Sequence, residues 1–216
     1  MVTAAWPLAV AVVAAVAVSP LSAGWTAALA AGQRTGWWRP RPVSARRWVT
    51  VTTVTVALVV PATAGSPPLA WWLLAVGGGA LAVVDAQTQL LPARLIYPLA
   101  GVIAAALTLA AVTGAGAGPL LRAALAAVTV GGLWLAGCFL SPRSIGLGDV
   151  RLAALTGGVL GWAGWAEVWQ GQVLSQLLGA LTALVAALTT GRGLHGSVTV
   201  PMGPAMIAGS LLALWL

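Results

Sequence analysis

Residues 120–140 read LLRAALAAVTVGGLWLAGCFL, twenty-one positions that hold one charge, Arg122. A helix crossing a hydrocarbon core of about 30 Å needs about 20 apolar residues, and this run supplies them. It lacks the strict apolar-polar alternation of a barrel strand. In lipid every backbone N–H and C=O must be satisfied within its own segment or in a closed barrel, so the run reads as a transmembrane helix.

Outward from it, seven more apolar runs follow the same pattern: 8–31, 48–63, 69–84, 95–113, 150–162, 173–189 and 202–216. Gly65-Ser66-Pro67-Pro68 and the Gly/Ala/Pro stretch 114–119 punctuate them as turns. The expected fold is all-α: a polytopic transmembrane bundle of about eight spans, one domain over residues 1–216. Composition agrees, with 6% charged and 60% hydrophobic residues and a mean hydropathy of +1.00. Soluble domains run near 25% charged, and disordered chains are poor in apolar residues, so both classes are excluded.

The charges are lopsided. All ten basic residues are arginine, and the acids are Asp85, Asp149 and Glu167, for a net charge of +7. A nucleic-acid partner would need a basic face on a soluble surface; the positive-inside rule explains the arginines without one. Arg34, Arg39, Arg41, Arg46 and Arg47 crowd a loop at about 33–47, which is expected to be cytoplasmic. Counting spans from there puts Arg94, Arg143, Arg151 and Arg192 on the same side, Arg122 opposite, and both termini outside. The positive cluster follows the first apolar run rather than preceding it, so a retained helix is expected, not a cleaved signal peptide. Trp37, Trp38, Trp48, Trp71, Trp72, Trp162 and Trp165 fall near span ends, as interfacial anchors do. Arg122 is expected to snorkel to headgroups, and Glu167 to lie in an outer loop. His195 is expected in a solvated cytoplasmic loop. Cys138, the sole cysteine, leaves neither a disulfide nor a Cys-cluster metal site available.

In a chain this poor in acids, a carboxylate at a membrane boundary marks function. Asp85 closes the run 69–84, and Asp149 opens the run 150–162 within Gly146-Leu147-Gly148-Asp149. One span out and one span back join them, so packing can bring them face to face at the cytoplasmic boundary. Two adjacent carboxylates hold one proton between them, because like charges cannot both ionise at neutral pH. Such a pair can act as general base towards water and general acid towards a peptide bond. The plainer reading pairs Asp85 and Asp149 with Arg94 and Arg151 as interfacial ion pairs. Gly146 and Gly148 allow close backbone approach beside Asp149.

Three segments resemble the type IV prepilin leader peptidases, membrane aspartic proteases of the GxGD type. Gly146-Leu147-Gly148-Asp149-Val150-Arg151-Leu152 resembles their G-x-G-D-V-K-L signature. Asp85, followed by Leu91-Pro92 and Tyr97-Pro98, resembles their first catalytic aspartate. Val200-Pro201-Met202-Gly203-Pro204-Ala205 resembles their C-terminal I-P-F-G-P-F-type segment. The resemblance covers residues 81–209 and implies catalytic Asp85 and Asp149, with Gly146, Gly148, Pro201, Gly203 and Pro204 shaping the site. The implied reaction removes a short basic leader from pilin-like precursors at the cytoplasmic face of the inner membrane. No cofactor and no metal is implied, and the partners are the precursor substrate and membrane lipids.

The chain departs from the pattern in two places. Ala93-Arg94 stands where relatives often carry an acidic or Asn residue, and Arg151 replaces Lys. The first loop has no cysteine and is too short for the Cys-x-x-Cys domain of longer members, so N-methylation is not expected. Two rival readings stay open: a small secondary transporter using the aspartates for proton or cation coupling, and a catalytically inactive scaffold. The transporter would call for an inverted repeat and midplane acids, neither of which the sequence displays.

Overall fold

The computed structural model describes residues 44–62, 68–141, 145–190 and 200–216, with isolated positions before residue 44. The expected first span, most of the basic loop, Trp37, Trp38 and His195 lie outside the described residues. The described residues form seven α-helices: α1 (Ala45–Ala62), α2 (Pro68–Thr88), α3 (Ala93–Ala110), α4 (Ala117–Leu140), α5 (Leu147–Ala163), α6 (Trp165–Thr190) and α7 (Gly203–Leu212). A π-turn (Ala111–Ala115) extends α3, and a short 3₁₀ turn (Ala213–Trp215) ends α7. No strand occurs among the described residues.

Among the described residues four helices are long and apolar enough to cross a bilayer: Leu69–Thr88, Ala93–Ala115, Ala117–Leu140 and Trp165–Thr189. The outer faces of α3, α4 and α6 expose Val102, Leu109, Leu125, Val128, Leu181 and Leu188. Exposed apolar area on this scale belongs in lipid, which marks an integral membrane protein. α2 sits at the centre, with 61% of its apolar window buried against 28%, 22% and 22% for the other three spans.

Small residues let these helices approach, as they do where lipid removes the hydrophobic drive between helices. On α5, Gly157 and Gly161 form a G-x-x-x-G seam against α4. A Cβ at Gly157 would meet Val130 Cβ at 2.8 Å, and one at Gly161 would meet the Arg122 carbonyl at 3.0 Å. The consecutive Gly77, Gly78 and Gly79 of α2 admit Leu99 from α3, Ile207 from α7 and Thr55 from α1, respectively.

Several boundaries differ from the sequence reading. The stretch 163–172 is no outer loop: Gly164 alone separates α5 from α6, and Glu167 lies in the first turn of α6. An acid there complements the helix dipole, and Gln172 accepts a 3.0 Å hydrogen bond from Trp134 Nε1, which accommodates its polarity. Trp71 and Trp162 are core residues rather than interfacial anchors, Trp71 with no exposure at all. Arg122 does not reach outward either. Its Nε donates to the Gly161 carbonyl (2.7 Å), and its Nη2 to those of Trp162 (2.6 Å) and Ala163 (3.1 Å). These are carbonyls of the last turn of α5, which lack intrahelical donors, and a cation is the favoured partner at that end.

Candidate active site

Asp85 occupies the last turn of α2 and is 4% exposed. Its helix stops at Gln89, whose φ of 53° is the left-handed conformation that ends helices. The Gln89 N–H donates to the Asp85 carbonyl at 2.7 Å, so main chain and side chain are both held. The carboxylate turns to the other end of the sequence. Gly203 N–H donates to Asp85 Oδ2 at 2.8 Å. Gly203 opens α7, and its amide is one of the N-terminal donors that a helix leaves unpaired. A Cβ on residue 203 would lie 2.9 Å from Asp85 Oδ2 and 3.2 Å from its Cβ. Glycine is therefore required by close approach.

Asp149 is the third residue of α5, ahead of the apolar run 150–162, and is partly buried. Its Oδ2 accepts the Gly146 N–H at 3.1 Å, the carboxylate half of a capping box. Burial pushes the Asp149 carboxyl above the usual carboxylate range, and the Gly146 amide offsets part of that rise.

The two acids reach the same end of the bundle through the Gln89–Pro92 connection. A Cβ on Gly148 would meet Leu91 Cβ at 2.7 Å and the Leu91 carbonyl at 3.0 Å. The chain leaving Asp85 is thus pressed against the residue before Asp149. Each carboxylate also accepts from an amide at a helix N-terminus, Asp85 from α7 and Asp149 from its own α5. Anions are favoured at such ends.

Of the other residues singled out from sequence, Gly146 and Gly203 supply these amides and Gly148 allows the close contact. Pro204 is the second residue of α7, where a missing N–H costs nothing, and Pro201 precedes the helix. They set where α7 starts. Arg151 does not pair with Asp149: its Nε donates to Tyr97 Oη at 3.0 Å, and its guanidinium carbon lies 5.7 Å from the Tyr97 ring centroid. Leu91 escaped the sequence reading as a contact residue, because nothing in Leu-Pro marks a backbone that a glycine must accommodate. Among the described residues, no three His, Cys, Asp or Glu side chains cluster as metal ligands would.

Chemically, two carboxylic groups brought into contact can share one proton, one accepting from water while the other donates. The model of the type IV leader peptidase family matches residues 69–191. The chain is 36% identical over 140 residues to a prepilin leader peptidase/N-methyltransferase of Bacillus subtilis (strain 168), covering 62% of this chain. It spans about half the length of that curated relative, 50%. No solved structure matches it.

Proposed function

The chain belongs to the type IV leader peptidase family, and from that premise we propose that it is a membrane aspartic endopeptidase. Its substrates are pilin-like precursors, from which it removes a short basic leader. Asp85 and Asp149 act as the dyad. One carboxylate takes a proton from water as the oxygen attacks the scissile carbonyl, and the other, protonated, hydrogen-bonds that carbonyl oxygen. Collapse of the tetrahedral intermediate then breaks the C–N bond, with a proton passing to the leaving amine.

The observation that supports this reading is the placement of one buried and one half-buried carboxylate at the same end of the bundle, each accepting from a helix N-terminal amide. Gly146, Gly148 and Gly203 keep that corner open to backbone approach, and Pro201 and Pro204 set the start of α7.

The same reading places the chain in the inner membrane as about eight spans, with both termini outside and the dyad at the cytoplasmic face. Arg94 and Arg151 lie at the dyad end and Arg122 at the other, as the positive-inside rule requires.

The test is co-expression with a pilin-like precursor, followed by leader removal on a gel. Wild type cleaves; Asp85→Asn and Asp149→Asn each abolish cleavage while the protein still accumulates in the membrane. Unchanged processing by either variant refutes the dyad. Loss of proton-dependent solute flux in the same variants, with no cleavage by wild type, would identify a transporter instead.

A further inference from the structure

α3 leans on α5 and scarcely touches α4. The gap is a groove of about 390 Å³, floored by α5 and lined by small or apolar side chains such as Ala104, Ala124, Ala127 and Gly158. Arg151 and Tyr97 line one end; at the other, Thr108 spends its hydroxyl proton on the Ala104 carbonyl at 2.8 Å. Among the described residues Arg151 pairs with no carboxylate. Its Nε is used by Tyr97, which leaves both Nη groups and the Tyr97 hydroxyl proton for an acceptor. An apolar trough that ends at a guanidinium and a phenol suits an amphiphile with a long hydrocarbon chain and an anionic oxygen head.

We infer that this groove is a binding site for one acyl chain of an anionic phospholipid, with the phosphate held by Arg151 and Tyr97. Length decides between the two occupants a membrane offers. From Tyr97 to Thr108 the groove runs eleven residues of α3, about 17 Å at 1.5 Å per residue. One leaflet is about 15 Å deep, half of a core of roughly 30 Å, so a single acyl chain fills the trough. A spanning protein helix of about 30 Å overruns it. The placement of the phosphate in the cytoplasmic leaflet, where anionic lipids attract basic residues, rests on the orientation proposed above. The groove and its cation do not.

The purified chain in mild detergent is titrated with phosphatidylglycerol or phosphatidylcholine, and bound lipid is counted by native mass spectrometry. Wild type retains phosphatidylglycerol about fivefold better, as one arginine facing an anionic head provides. Arg151→Gln removes that preference. Ala104→Leu and Ala124→Leu, both at exposed positions where a larger side chain fits without disturbing the core, lower retention of both lipids. Equal retention of the two lipids by wild type, or undiminished retention in both groove-filled variants, overturns the site. So does a photo-crosslinker at position 104 that captures the apolar helix of a pilin-like precursor in preference to lipid. Leader cleavage is assayed on the same preparations. Cleavage without lipid preference removes the lipid site and spares the peptidase; lipid preference without cleavage does the reverse.

Discussion

The amide of Gly203 donates a 2.8 Å hydrogen bond to Oδ2 of Asp85, joining positions 118 residues apart. The opening of α7 is therefore part of the environment of the first aspartate, and its glycine is a contact surface as much as a turn residue. The variant Gly203→Ala keeps the N–H but places a methyl 2.9 Å from the carboxylate oxygen it serves. The carboxylate must move, and displacement on the ångström scale costs up to about 100-fold in rate. Leader cleavage is expected to fall by about 10- to 100-fold with little change in melting temperature. Near-normal turnover would show that Asp85 has freedom the packing denies it.

Gly148→Ala tests the second contact. The new methyl meets Leu91 Cβ at 2.7 Å and its carbonyl at 3.0 Å, atoms that no rotamer change moves. Overpacking of this kind destabilises by about 1–3 kcal/mol. Leu91→Ala should not rescue it, because the clashing atoms remain in alanine. Full rescue by that second substitution would mean the obstacle is the leucine side chain and not the main chain.

Protonation makes a separate prediction. Burial raises Asp149 above its unfolded value, so the fold favours the neutral acid. The stability contributed by this group is complete below the unfolded pKa and is lost as pH rises through the folded one. Asp149→Asn, neutral at every pH and still able to accept from Gly146, should melt higher than wild type at pH 8 and equal to it near pH 4. The chain's 12 tryptophans make intrinsic fluorescence a suitable thermometer. A gain confined to acid pH would reverse the sign of the argument.

At the opposite end of α5, Arg122→Ala strips the donors from three terminal carbonyls. Hydrogen bonds to a charged group are worth about 1.5–3 kcal/mol, so a clear fall in melting temperature is expected. Arg122→Lys should recover only part of it, since one ammonium cannot reproduce a planar fork on several acceptors. Asp149 lies 14 residues, about 21 Å, from that end. Cleavage per folded molecule should be unchanged, and a specific loss of turnover would contradict a purely structural role.

How much of this was legible beforehand follows physical lines. Long apolar runs announce helices because bilayer physics leaves few alternatives, and scarcity of charge singled out Asp85 and Asp149. Helix ends were harder. Glu167 reads as outer loop when polarity stands for solvent, whereas this first-turn acid and a glutamine paired to Trp134 sit within one continuous helix. Trp71 was misplaced for the converse reason: an aromatic near a span end looks interfacial until a neighbouring helix covers it. Gly203 was noticed as a motif residue, but its bond to Asp85 has no periodicity to betray it. From sequence Arg122 is expected to snorkel to headgroups, and it instead caps the end of α5, a distinction that depends on which helix packs beside it.

The glycine triplet of α2 gives the bundle an unusual division of labour. At Gly77, Gly78 and Gly79 the helix carrying Asp85 contributes no side chains, and its seat is shaped by Leu99, Ile207 and Thr55 from three different neighbours. A change of bulk at any of those three remote positions would therefore alter the height and tilt of Asp85 without touching it. Substitution there acts as calibration, and it leaves the two carboxylates themselves unaltered.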